Sequence, residues 1–166
     1  ANIFSVPIFE YEISDYKTLN KNLLNDALKW QQDADGVNMS NEGGSWHSPV
    51  SLFLRDEESF RTLCKNILAV VSDFVRTINP NFDFDAHNIS ANGWVNINKS
   101  FAFNSLHNHG EFHLSGCYYV AQPKVSNGKS GMIEFVNSRN DDSLSRVIGG
   151  VEFAKKIQKR PSEGTM

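Results

Sequence analysis

Leu106-His107-Asn108-His109-Gly110-Glu111-Phe112-His113-Leu114-Ser115-Gly116-Cys117-Tyr118-Tyr119-Val120 holds three of the chain's five histidines ahead of a short apolar run. The run predicts a buried strand over 114–120, and the histidines stand at its mouth. Alternate strand residues face the same side, so His107 and His109 are expected to aim their imidazoles at one point. Two imidazoles suit iron, zinc, copper or nickel, and a mononuclear catalytic centre usually needs a third ligand on the same face. His113 shares their parity across Gly110 and is a candidate, as is Glu111. Histidines of a solvated loop would show the same spacing. His47 and His87 stand alone in the sequence and read as an ordinary loop and an ordinary strand residue.

Upstream, residues 3–13 alternate loosely around Pro7 and read as an edge strand, because proline has no N–H to give a central ladder. Ser14 and Asp15 offer an N-cap. Leu19, Leu23, Leu24, Ala27, Leu28 and Gln31 then recur at helical spacing, which predicts an amphipathic helix over about 15–33. After a polar, glycine-bearing loop, Asp56 is placed to cap a second helix running to Ile78 with a long apolar stripe, closed by Asn79-Pro80-Asn81. Strands are expected within 87–104. Asn127-Gly128 predicts a hairpin that pairs 132–136 with 114–120. The segment 151–157 is open between helix and loop, and the tail reads as the approach to a further strand. Two helices followed by strands define an α+β protein, with the helices on one face of a mostly antiparallel jelly roll or barrel.

The 166 residues fit one domain, helical over 1–80 and β over 86–166, and 40% hydrophobic residues suffice for its core. A net charge of -3 with scattered lysines and arginines carries no footprint for nucleic acid. No run approaches the ~20 apolar residues of a membrane span, and no leader segment precedes the first strand, so a cytoplasmic protein is expected. Cys64 and Cys117 read as reduced core thiols.

Four stretches together carry a resemblance: Ser40-Asn41-Glu42-Gly43-Gly44-Ser45-Trp46-His47-Ser48, Trp94-Val95-Asn96-Ile97-Asn98, His107-Asn108-His109 leading into 114–120, and Ile133-Glu134-Phe135-Val136-Asn137-Ser138-Arg139. The chain resembles the 2-oxoglutarate- and Fe(II)-dependent oxygenases of marine bacteria and their phages, a branch of the prolyl-hydroxylase-like group. The resemblance implies a double-stranded β-helix, cupin-like in form, that binds Fe(II). It places the first metal ligand on His107 and the usual acidic ligand's position on His109, an imidazole where the wider superfamily has a carboxylate. That change leaves the ion less neutralised and gives the anionic cosubstrate more of the task of holding it. By the same overlay Asn98 and Tyr119, with Asn96 and Ser115, line the 2-oxoglutarate pocket, while Trp46, Trp94 and Arg139 support the fold.

The resemblance further implies a distal metal histidine and a 2-oxoglutarate-binding arginine on a later strand, for which no counterpart stands after His113. The chain is therefore expected to be part of a longer protein lacking the last core strand or strands. The implied activity is hydroxylation of a peptidyl or small-molecule substrate coupled to 2-oxoglutarate decarboxylation, with these residues alone inactive. The alternative is a non-catalytic cupin-like binding or interaction module that pairs with itself through an exposed β edge.

Overall fold

The stripe 19, 23, 27, 30 drives the first helix, α1 (Tyr16–Asp33), against the rest of the protein. Leu23, Ala27 and Trp30 are buried. Leu24 and Leu28 lie exposed, so the buried face is rotated toward Trp30 from the stripe expected through them. Asp15 occupies the N-cap with a left-handed backbone (φ 54°) and no side-chain cap bond, unlike the cap expected of it. The structure is a computed structural model and describes residues 6–124, 128–138 and 154–166. Asn127 and Arg139, and residues 151–153 of the segment left open above, lie outside the described residues.

The second helix, α2 (Glu58–Ile78), begins two residues after Asp56, with Glu57 rather than Asp56 at its N-cap. Only its first turns are buried, through Ser59, Phe60 and Leu63, whereas Leu68 and Ile78 are exposed. The core is formed by Leu23, Ala27, Trp30, Leu52, Phe60 and Leu63, with Trp46, Val95, Ile97, Tyr118 and Val120 packed around it. Trp30 meets Phe60 and Trp46 edge-on at 5.7 and 5.9 Å. The Arg55 guanidinium lies 4.4 Å over its ring. Truncating a buried tryptophan of this kind costs about 3–5 kcal/mol. Arg55 also pairs with Glu57, and this contact, more than any other, holds the Glu57 carboxyl below its usual range.

The strands are short: β1 (Asn41–Glu42), β2 (Trp46–His47), β3 (Asn96–Ile97), β4 (Phe103–Asn104), β5 (Ile133–Val136) and β6 (Lys156–Lys159). They pair antiparallel as β1·β4, β2·β3 and β5·β6. The first two ladders are consecutive pieces of one ribbon. Asn41 faces Asn104, Trp46 faces Ile97, and backbone bonds extend the pairing from Ser40–Ser105 at one end to Ser48–Val95 at the other. Between the pieces the ribbon bulges at Gly43 (φ 68°), where a Cβ would stand 2.9 Å from the Phe101 carbonyl and the Ala102 backbone. Glycine alone fits that approach.

The pairing expected from the hairpin signal is not formed. β5 lies against β6, in register from Ile133–Lys159 to Val136–Lys156, instead of against 114–120. Residues 114–120 form no regular strand, although Tyr119 joins a ladder through its backbone. Residues 164–166 run between Tyr119 on one side and residues 11–13 on the other, with bonds of 2.8–3.0 Å to both. The tail is thus flanked on both sides, and the expected edge strand over 3–13 shows in the described residues as one bridge, Glu12 to Thr165. Gly164 (φ 81°) is packed so that a Cβ would come 2.2 Å from the Tyr16 ring.

The chain is therefore mixed α+β, two helices with small antiparallel ladders, and among the described residues these do not close into a barrel. No helix among them is long and apolar enough to cross a membrane. Cys64 is half-buried beside the core, while Cys117 is exposed as a residue although burial pushes its thiol up.

Candidate metal and cosubstrate site

The ribbon positions the candidate site. β4 ends at Asn104, Ser105 ties back to Ser40, and His107 and His109 follow in a segment with no ladder of its own. No strand carries these residues, so alternation along a strand does not bring them together. The two rings nevertheless converge, with centroids 4.9 Å apart and planes at 85°. His107 is exposed, and its Nδ1 lies 2.7 Å from the Ser105 carbonyl oxygen. A carbonyl only accepts, so Nδ1 carries the proton and Nε2 is left as a lone-pair donor. His109 is partly buried. Burial first, and the neighbouring His107 second, hold it below the usual imidazole range, which favours the neutral, ligating form.

Two further aromatic residues stand behind His109. Trp94 lies 5.8 Å from it at 39°, and His47 stacks on Trp94 at 5.2 Å and 19°. His47 is buried at 2% exposure, with Nδ1 2.6 Å from the Ser48 carbonyl and its own carbonyl bonded to the Val37 N–H. Read from sequence, His47 was incidental and Trp94 a support. The pairing of β2 with β3 is what joins them, and the only sequence signal for it is the presence of both stretches in the resemblance.

Phe112 donates its N–H to the His109 carbonyl at 2.9 Å, closing a turn; Glu111 within it and His113 just after it are exposed. Among the described residues no set of three histidine, cysteine or acidic side chains gathers to hold a metal, so neither Glu111 nor His113 completes a triad with the pair. Imidazole nitrogens are donors that divalent transition ions accept, and two rings with centroids 4.9 Å apart would supply at most two positions of a coordination shell.

The four residues expected to line a 2-oxoglutarate pocket fall into separate networks. Asn98 donates to the Asn104 side chain at 3.3 Å, and Asn104 to the Ser40 hydroxyl. Asn96 faces His47 across the ribbon and is exposed, as is Ser115. Tyr119 is fixed by Gly164 and Thr165 through its backbone, and its hydroxyl is held above the usual range by burial and then by Cys117. Its neighbour Tyr118 points the other way, donating to Asn20 Oδ1 at 2.6 Å, while Asn20 Nδ2 donates to the Val120 carbonyl at 2.8 Å. Through Asn20, α1 grips residues 118–120. Among the described residues no hydrogen bond or ring contact links the histidine pair to Asn98 or Tyr119. Two open hollows lie along α1, one of about 380 Å³ between Asp26 and Glu58, and neither contains a histidine.

No family model matches the chain, and no curated protein or solved structure matches it.

Proposed function

We propose that the chain is a 2-oxoglutarate- and Fe(II)-dependent oxygenase-like domain that carries two of the metal ligands. In this reading the 40–48/95–105 ribbon and the 119/164–166/11–13 ladder are strands of a double-stranded β-helix. The observation that supports it most is the meeting of His107 and His109 against Trp94 and His47, which joins three stretches that the sequence separates. His107, through Nε2, and His109 would hold the iron. Bound iron with 2-oxoglutarate supplies oxidative decarboxylation to succinate coupled to hydroxylation of a C–H bond. The chain's own part is to present neutral imidazoles, to exclude water behind His109 with the Trp94 face, and to offer Asn98, Tyr119, Asn96 and Ser115 as polar partners for the keto acid. The substrate class is peptidyl or small-molecule. Two imidazoles leave most of a metal's positions to solvent, so these residues alone should bind metal weakly and yield no succinate.

Calorimetric titration with Mn(II) plus 2-oxoglutarate tests the reading. The chain should bind, and the His107→Ala, His109→Ala double variant should bind at least tenfold less, about 1.4 kcal/mol. Equal binding by both would remove the metal site.

A second reading, a non-catalytic module that self-associates, draws on the exposure of Phe101 (98%) and Leu106 (77%) beside the same segment. Sedimentation showing monomer alone at high concentration would exclude it.

A further inference from the structure

We infer that Trp94 is the positioning residue of the histidine pair: its indole, stacked with the buried His47, takes the place of the hydrogen bond that normally orients a metal-ligating imidazole. The inference rests on the reading of His107 and His109 as ligands. Ligating histidines are usually fixed through the nitrogen that does not bind metal, by a carbonyl or carboxylate. His107 follows that pattern through Ser105. His109 does not. Among the described residues its ring makes no hydrogen bond, and its contacts are the rings of Trp94, His107 and Phe112. Its backbone lies outside any ladder, so pairing does not aim it either.

Trp94 is held on every side that matters. The carbonyl before it, on Gly93, accepts from the Leu52 N–H at 3.0 Å. The residue after it, Val95, donates to the Ser48 hydroxyl and accepts from the Ser48 N–H, both at 2.9 Å, and Ser48 is wholly buried. The indole also stacks with His47, itself buried and tied by its Nδ1–H. An aromatic wall is thereby built from the core outward, and His109, whose ring has no hydrogen bond among the described residues, lies against it. An imidazole on such a face loses rotamer freedom before metal arrives, so less is lost on binding.

The test is Mn(II) titration of the folded chain with Trp94→Ala and Trp94→Phe, with His107→Ala as the reference for lost coordination. Trp94→Ala should bind about ten- to a hundredfold more weakly, while Trp94→Phe, which keeps an aromatic face, stays within about threefold of the parent. If the parent binds and Trp94→Ala matches it, the positioning role is overturned and the ligand assignment stands. If the parent itself binds no Mn(II), the ligand assignment falls and this inference with it. Should Trp94→Ala fail to fold, the metal-free parent decides. Cross-relaxation between His109 ring protons and the Trp94 indole by NMR is the expected result, and its absence overturns the proposal.

Discussion

Ser48 shows how much one small side chain can carry. Its hydroxyl accepts the Val95 N–H at 2.9 Å from a position of zero exposure, and its own N–H binds the Val95 carbonyl. Ser48→Ala removes no appreciable volume but leaves a part-buried N–H without its partner, a loss of about 1 kcal/mol. Urea unfolding should show that loss, with the midpoint lowered and the slope unchanged. An unchanged midpoint would mean that the ribbon's end is not fixed by this bond. At this scale the histidine pair was legible, because its spacing places two identical donors close together whether or not a strand carries them. His47 and Trp94 were not. Their role depends on a long-range pairing between residues 46–48 and 95–97, and no local pattern announces which segments pair.

At the scale of elements, helical periodicity carried furthest. Both helices lie where the apolar spacing put them, yet the buried face of α1 turned out to centre on Trp30, which no arrangement of leucines reveals. The strands were less legible because the ladders are two to four residues long, too short for alternation to show. The hairpin signal at Asn127-Gly128 misassigned the partner of β5 for the same reason, since local turn chemistry says nothing about a competing strand at 156–159. The joint between α1 and residues 118–120 yields a pH prediction. Burial pushes the Tyr118 hydroxyl up to about 12, and its proton is donated to Asn20. A pKa raised on folding contributes stability that is complete below the unfolded value near 10 and is lost as pH rises through the folded value. Stability should therefore fall between about pH 10 and 12, and Tyr118→Phe should flatten that limb. An identical alkaline limb in the variant would place the titration elsewhere.

Across the whole molecule, the α+β class and the helical first half were readable from composition and period, whereas the jelly roll stands as part of the proposed function. What the sequence stretches share is a destination: the ribbon, the Trp94 wall and the histidine segment meet at one surface, with the core behind them. Hydrogen-detected correlation spectra of the histidine ring nitrogens, recorded before and after Zn(II) as a diamagnetic probe, test that convergence most directly. Beforehand, His107 should be the Nδ1–H tautomer. On adding zinc, ring nitrogens of His107 and His109 should shift together while those of His47, His87 and His113 stay in place. Shifts at His113 in place of His109, or at none of the five rings, would contradict it.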